Sequence, residues 1–188
     1  LAKLQQQGLL GTIITQNVDG LHQRAGSRDV IDLHGYANDM ICMSCHARSP
    51  RLEMHERCID LNPQFAALQA GTAPDGDADL EADFSDFQIP DCRNCGGILK
   101  PDVVYFGDNV PRDRVERAQA ILRNSGGLLV VGSSLMVFSG YRFARQAAAD
   151  EQPIALLTLG TTRADALAEL RLNTDISNTL TSLLLAPA

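Results

Sequence analysis

"TIITQNVDGLHQRAG", residues 12–26, is the stretch that decides the fold. It begins as a short β-branched run and then becomes polar, with Gln16, Asn17 and Asp19 within four residues. Ligands of open α/β sheets bind beyond the carboxyl ends of the strands. Capping the next helix would need only one of these side chains, and Asn17 is the candidate for it. Three polar side chains together predict a binding site at a strand end.

Two more apolar runs follow the same pattern, "GGLLVVG" (126–132) and "PIALLTLG" (153–160). Continuous rather than alternating apolar runs are typical of parallel strands that are covered on both faces. Helices are predicted at 111–127, with Pro111 near the start and a glycine stop, and at 139–150, which is rich in alanine. The alternation of strands and helices predicts a doubly wound α/β fold.

The composition narrows the class of protein. The chain has 188 residues, 45% of them hydrophobic, which is enough for one domain with a buried core and a smaller module. Its formal charge of −7 argues against nucleic acid as the main ligand, because phosphate binding needs a basic face. No apolar run reaches the roughly 18 residues that a membrane span needs, and no signal peptide is recognisable. Neither a membrane nor a nucleic acid is therefore expected as a partner.

Four of the five cysteines form two Cys-x-x-Cys pairs, Cys42 with Cys45 and Cys92 with Cys95. Each pair can hold half of a tetrahedral zinc site, and four thiolates leave no open position for catalysis. The pairs are further apart than the roughly 15–20 residues usual for such sites, so an insertion must lie between them. Redox dithiols and unrelated structural cysteines are the alternatives. Cys58 is predicted to be a free thiol, and the compartment a reducing one.

The cysteines lie in a segment, 36–100, that interrupts the α/β pattern and is predicted to be a small inserted module. Its acidic stretch 74–86 resembles a calcium loop only superficially, because Leu80 stands where glycine is needed. A solvated acidic loop is predicted there instead. His34, in "DLHG", directly precedes the module, where clefts form between domains, and its near-neutral pKa suits proton transfer.

The motifs "TQNVDGLH", "DLHG", the two Cys-x-x-Cys pairs, "GGILKPDVVYFGD" (96–108) and "VGSSLMVFSG" (131–140) occur in the order seen in sirtuins. The chain therefore resembles the sirtuins, the NAD-dependent protein-lysine deacylases. Details are most similar to the class II branch that includes the mitochondrial sirtuin four, in a bacterial-type relative. The resemblance implies a Rossmann-type NAD-binding domain built from 1–35 and 101–188, with the zinc-binding module 36–100 inserted.

The resemblance also implies roles for individual residues. His34 would be the general base that draws a proton through the ribose hydroxyls. The residues implied for cofactor binding are Gln16, Asn17, Val18, Asp19, Gly132, Ser133, Ser134, Thr158, Leu159, Gly160 and Ile176. The residues implied for acyl-lysine binding are Val104, Phe106, Gly107 and Val137. One structural zinc ion would be held by Cys42, Cys45, Cys92 and Cys95.

Two departures from the family pattern qualify this expectation. Thr158 stands where asparagine is common in the family, and its shorter hydroxyl side chain is expected to weaken the affinity for adenosine. "LAKLQQQG" (1–8) is interpreted as the end of a helix stopped by Gly8, so the family's phosphate loop and first strand would precede Leu1. The 188 residues alone would then bind NAD poorly and expose a strand edge.

Two other functions compete with the deacylase. A non-catalytic, zinc-stabilised peptide-binding module would need no NAD, and an ADP-ribosyltransferase of the same family would transfer the ADP-ribose group instead. A zinc hydrolase is disfavoured, because it needs an open coordination position. The expected location is the cytoplasm of a bacterium, or the mitochondrial matrix if the protein is eukaryotic.

Overall fold

The computed structural model describes residues 1–66, 68, 71–72, 78–79 and 82–185. The strands are β1 (Ile13–Thr15), β2 (Val30–Asp32), β3 (Gly35–Cys42), β4 (Arg48–Pro50), β5 (Gly71–Thr72), β6 (Ala78–Asp79), β7 (Leu99–Val103), β8 (Leu128–Val131), β9 (Ile154–Leu157) and β10 (Leu170–Leu172). The helices are α1 (Ala2–Gln6), α2 (Leu21–Arg24), α3 (Arg51–Leu61), α4 (Arg112–Arg123), α5 (Phe138–Ala149) and α6 (Ile176–Leu185), with a 3₁₀ turn at Asp165–Leu167. Contacts divide the chain into two units: a sheet unit, Leu1–Gly35 with Val104–Ala188, and a cysteine unit, Tyr36–Val103.

The strands of the sheet unit are parallel, which confirms the predicted α/β class. β1 pairs with β2, with Ile13 opposite Val30. A second sheet has the order β10-β9-β8, again with parallel neighbours. All three apolar runs singled out in the sequence contain strands, β1, β8 and β9. Parallel strands direct their carboxyl ends to the same edge, so the polar residues that follow them can meet.

The core of the sheet unit forms where α4 and α5 pack against the strands. Ala118, Ala144 and Ala147 are fully buried, and these small side chains let the helices approach closely. Leu122 and Ile154 belong to the same apolar cluster. Burying one such leucine or isoleucine contributes about 1.5–3 kcal/mol to the free energy of folding. This apolar cluster therefore fixes the positions of the strand ends.

The helices begin where the sequence predicts, but α4 ends differently. Pro111 is the N-cap of α4, whereas the helix ends at Arg123 with Asn124 as C-cap, so the predicted glycine stop is wrong. The Asn124 side-chain amide donates to the carbonyl of Ala120 at 2.8 Å and so satisfies one of the last carbonyls of the helix. Within the described ranges, no helix has both the length and the apolar character needed to cross a bilayer.

The cysteine unit has a three-stranded sheet and little apolar core. The order is β4-β3-β7, and β3 pairs with β4 antiparallel. α3 buries none of its residues. Among the described residues of this unit, the buried hydrophobic side chains are Met40, Cys42 and Cys92. So small a core cannot offset the conformational entropy of folding, and the unit needs a further source of stability.

One source of stability is Asn62, which is only 1% exposed. Its side-chain amide donates to the carbonyls of Cys58 and Gln88, both at 2.8 Å, and its Oδ1 accepts the Gln88 N–H at 2.7 Å. Phe65 packs beside this junction against Phe84 and Phe87, with ring centroids 5.6 and 5.3 Å apart. Asn62 therefore joins the two ends of the segment that contains the acidic stretch. The predicted solvated loop at 74–86 falls partly outside the described residues.

We expect Asn62→Ala to loosen this junction, because three buried hydrogen bonds are lost and the Gln88 peptide groups lose their partner. The expected cost is about 2–4 kcal/mol, measured as faster hydrogen exchange at the Gln88 amide. Asn38→Ala, at an exposed position of the same unit, is the control and should leave exchange unchanged. Equal exchange in the two variants would contradict the role given to Asn62.

Candidate functional site

His34 is held in place by its backbone. It follows Leu33, which is fully buried and whose N–H donates to the Thr15 carbonyl at 2.8 Å. The His34 carbonyl accepts the N–H of Val104, also at 2.8 Å. The chain on both sides of the imidazole is thus fixed to neighbouring segments, and the half-buried ring is positioned just beyond the end of β2.

The imidazole belongs to a chain of side-chain hydrogen bonds that links three strand ends. His34 Nε2 lies 2.8 Å from Ser139 Oγ, in the first turn of α5. Gln16, just after β1, donates from its Nε2 to Ser139 Oγ at 3.2 Å. Ser133, just after β8, donates to Gln16 Oε1 at 3.4 Å. The structure therefore brings together three predicted site residues, His34, Gln16 and Ser133.

Ser139 was missed by the sequence analysis, which treated it only as part of a crossover helix. It is 8% exposed and lies 105 residues from His34 in the chain. Its neighbour Gly140 allows the contact, because a Cβ added there would lie 2.7 Å from Gln16 Oε1. A hydroxyl next to a glycine in the first helical turn after a strand was the available signal.

Burial lowers the pKa of His34 below its ordinary value of 6.5. A backbone hydrogen bond to Gln16 acts in the opposite direction, and the positive charge of Arg142 lowers the pKa further. The ring is therefore neutral near pH 7, which is the form that can accept a proton.

Asn17 and Asp19 lie in the turn between β1 and α2, and both are exposed. The alternative role of Asn17 as a helix cap is wrong, because Gly20 is the N-cap, with φ +67°. Asp19 Oδ1 accepts the N–H of Leu21 at 3.0 Å and so takes the local bonding role. Val18 is half-buried between them.

The ends of β8 and β9 form a second polar region. Gly132 has φ +64°, and a Cβ added to it would lie 3.1 Å from Ile176 Cδ1, so these two predicted contacts are neighbours. Thr158 and Gly160 line a small cavity together with Asn173, whose Oδ1 accepts the Gly160 N–H at 2.9 Å. Asn173 is a residue that the sequence analysis did not single out.

The remaining predicted contacts lie at the surface of the sheet unit. Val104 is half-buried, and the others are exposed: Ser134, Leu159, Phe106, Gly107 and Val137. Phe106 is fully exposed, and Val137 is 55% exposed. Large apolar side chains gain no stability from contact with water. A group of them at the surface can therefore indicate a binding site.

The four predicted zinc ligands converge. The sulfur atoms of Cys42, Cys45, Cys92 and Cys95 all lie within 4.8 Å of one another. Cys42 and Cys95 are 3.5 Å apart, and Cys45 and Cys92 are 3.7 Å apart. Four sulfurs about 2.3 Å from one zinc ion would be about 3.8 Å apart in a tetrahedron, so the set fits zinc. Cys58 lies in α3, outside this cluster.

The knuckles are shaped by their backbones. Met43 N–H donates to the Ile98 carbonyl at 2.9 Å and ties the two knuckles together. A Cβ at Gly97 would lie 2.6 Å from Ser44 Oγ and 3.0 Å from Cys42 Sγ, so only glycine fits there without displacement. The two Cys-x-x-Cys pairs can therefore approach each other because Gly97, which follows the second pair, has no side chain.

The sulfurs differ in acidity. The Cys45 N–H, with that of Ser44, donates towards Cys42 Sγ, and these contacts lower the pKa of Cys42 to about 6. The proximity of Cys45 and other sulfurs raises the pKa of Cys95 to about 12. Four thiolates at this spacing need a cation, and metal binding must release protons.

The fold and the site define a Rossmann-type α/β protein with a four-cysteine zinc unit. The Sir2 family model matches residues 1–139. The chain is 55% identical over 174 residues to the NAD-dependent protein deacetylase of Bordetella bronchiseptica, which covers 92% of this chain and 64% of that protein. It is 55% identical over 172 residues to NAD-dependent protein deacetylase 2 of Bradyrhizobium diazoefficiens, covering 91% and 63%. The chain belongs to the Sir2 family.

Solved structures agree with this membership. A structure of Sir2 with a p53 peptide and NAD⁺ has a TM-score of 0.73 at 27% identity, covering 98% of this chain and 66% of that one. A structure of Sir2Tm bound to a propionylated peptide has a TM-score of 0.72 at 27% identity, and the match covers 98% of this chain and 67% of that one. The chain spans somewhat less than two thirds of the length of the curated relatives just described. The predicted resemblance to sirtuins is confirmed, and the class II assignment stays a prediction.

Proposed function

We propose that the protein is an NAD-dependent protein-lysine deacylase in which His34 is the general base. The observation that carries this proposal is the hydrogen-bonded set His34–Ser139–Gln16–Ser133 at the strand ends. It combines a neutral imidazole with an oriented amide at the edge of the sheet where ligands bind. The curated relatives are named as NAD-dependent protein deacetylases, which supports the same activity here.

Bound NAD would supply a ribose carbon that is attacked by the acyl oxygen, with nicotinamide as the leaving group. Gln16, with Asn17, Val18 and Asp19 beside it, would hold the nicotinamide ribose, and His34 would accept the proton of a ribose hydroxyl. The region around Gly132 supports a cofactor contact, because its positive φ turns the chain sharply at the end of β8 and its backbone is exposed there. The adenosine half would lie along Ser133, Ser134, Thr158, Leu159, Gly160 and Ile176.

The proposed substrate is an acylated lysine in a protein. Phe106 and Val137 are exposed apolar side chains, with Val104 and Gly107 in the same loop as Phe106. Apolar contacts suit the neutral acyl-lysine and disfavour the charged free lysine, because burying an ammonium group without a partner is costly. Neighbouring structures contain acetylated and propionylated peptides, which supports this substrate class.

Zinc has a structural role in this proposal. Four thiolates close the coordination shell, so the ion has no free position for a water or a substrate. Reduced thiols are needed to bind it, which agrees with a reducing compartment such as the bacterial cytoplasm. The hydrolase alternative lacks the open site that it requires.

The direct test is nicotinamide release by the full-length protein in the presence of NAD, with and without an acetyl-lysine peptide. We expect release to depend on the acylated peptide and to yield the free lysine peptide. Peptide binding by calorimetry without nicotinamide release would favour the non-catalytic module. Labelled ADP-ribose that stays on protein would favour the transferase.

Gly140→Ala tests the position of Gln16. Its methyl group would collide with the Gln16 amide, the far end of a flexible side chain, so the amide moves while the helix gains about 0.5–1 kcal/mol from alanine. We expect the free energy of unfolding to change little. We expect kcat/KM to fall about 10–100-fold, since a displaced Gln16 amide no longer orients the ligand. Gly126→Ala is the control, because a Cβ there has no atom within 4 Å. Wild-type activity in Gly140→Ala would contradict the proposed role of Gln16.

A further inference from the structure

Ser139 Oγ lies between two hydrogen-bonding groups, the Gln16 amide and the His34 ring. The Gln16 amide nitrogen can only donate, so Ser139 Oγ accepts from it at 3.2 Å. Gln16 is held in this orientation because its Oε1 accepts the hydroxyl of Ser133. The Ser139 hydrogen remains available for its other neighbour, His34 Nε2, which lies 2.8 Å from Ser139 Oγ.

The second nitrogen of the imidazole ring supports the same tautomer. A hydrogen bond to the Gln16 backbone raises the pKa of His34, which is the effect of a carbonyl that accepts a ring N–H. Since Nε2 faces Ser139, we assign this backbone bond to Nδ1. A neutral ring with its hydrogen on Nδ1 has a bare Nε2, which is the acceptor that the Ser139 hydroxyl needs.

We propose that Ser139 is a positioning residue, which holds neutral His34 in the tautomer with the proton on Nδ1 and the lone pair on Nε2. This inference rests on the proposed function for its purpose, since a general base must present that lone pair to the substrate. A substrate hydroxyl that gives its proton to Nε2 must take the place of the Ser139 hydrogen. Ser139 thus keeps the lone pair directed until the site is filled.

The charged surroundings do not provide an alternative cause for this tautomer. Among the described residues, Arg142 of α5 is the charged side chain that acts on His34, and a positive charge opposes protonation without choosing between the ring nitrogens. Its guanidinium carbon lies 5.3 Å from the centroid of Phe138. The tautomer is set by Ser139 and the Gln16 backbone together.

The test is nitrogen NMR of the full-length protein with labelled histidine, in which the His34 signals are assigned by their loss in His34→Gln. We expect the wild-type ring to carry its hydrogen on Nδ1. Ser139→Ala should raise the pKa of His34 by about half to one unit, because the neutral ring loses a donor. Ser139→Thr, which keeps the hydroxyl, should restore the wild-type value. Ser27→Ala, which removes a hydroxyl that is equally buried, should change nothing at His34.

These measurements need neither NAD nor peptide, so they can fail while the proposed activity stands, and the reverse. A wild-type ring with its hydrogen on Nε2 would overturn the proposal, whether or not the variants fold. An unchanged pKa in a folded Ser139→Ala would overturn it too. In the active protein, the acidic limb of kcat/KM against pH should move upwards by the same half to one unit in Ser139→Ala, and a limb that does not move would contradict the role in proton transfer.

Discussion

Replacing His34 by alanine is expected to lower peptide-dependent nicotinamide release and deacylation by about 10²–10⁴-fold, which is the usual contribution of a positioned general base. The side chain is half-buried and its backbone is held by Thr15 and Val104 through neighbouring peptide groups, so the substitution should leave the strand end intact. The loss should appear in kcat as well as in kcat/KM, because a base acts in the transition state.

The pH dependence gives the sign of the effect. Burial lowers the pKa of His34, so the neutral base persists below pH 6.5 and activity should fall only at more acidic pH. A limb above pH 6.5 assigned to His34 would contradict the buried, neutral ring. His55→Ala is the control: His55 is exposed in α3, and its removal should leave the rate unchanged.

Removing zinc is expected to unfold the cysteine unit. Among the described residues of this unit, the few buried hydrophobic side chains include two of the four ligands, Cys42 and Cys92, so losing the metal removes both the crosslink and part of the core. Structural zinc sites contribute about 10–16 kcal/mol of apparent binding free energy, well above the stability of a small domain. Metal analysis should find one zinc ion per chain.

The measurement is hydrogen exchange with and without a strong chelator. Protection should be lost at Met43 and Cys92, whose N–H groups donate to the carbonyls of Ile98 and Gly97. Cys45→Ser should reproduce the loss, while Cys58→Ser, which changes the cysteine outside the cluster, should not. Full protection in the metal-free protein would contradict a structural role for zinc.

Local signals predicted the main elements of the fold correctly. The long apolar runs correctly predicted β8 and β9, and Pro111 correctly predicted the start of α4. β9 is covered on both faces, as the apolar run indicates, whereas Leu129 in β8 is 38% exposed. β2 was missed, because its three residues are too few for a periodic pattern. The zinc ligands were found because the two knuckles bring their sulfurs together whatever the length of the insertion.

Contacts between distant residues were beyond the reach of these signals. Ser139 meets His34 only because β2, β8 and α5 share one core, and no local pattern records that meeting. The alternative cap role of Asn17 fails for a related reason: asparagine is a good N-cap by residue type, but the N-cap of α2 is Gly20, three residues later, with a positive φ. Likewise, Asn173 contacts Gly160 because the two residues follow the ends of the paired strands β10 and β9.

A shared site for the cofactor ribose is tested most directly by titrating NAD into the full-length protein with labelled histidine and glutamine side chains. We predict that the His34 ring and the Gln16 amide shift together, at the same NAD concentration, while His55 does not. Tight NAD binding with no change at either His34 or Gln16 would show that the ribose lies elsewhere and would contradict the deacylase site described above.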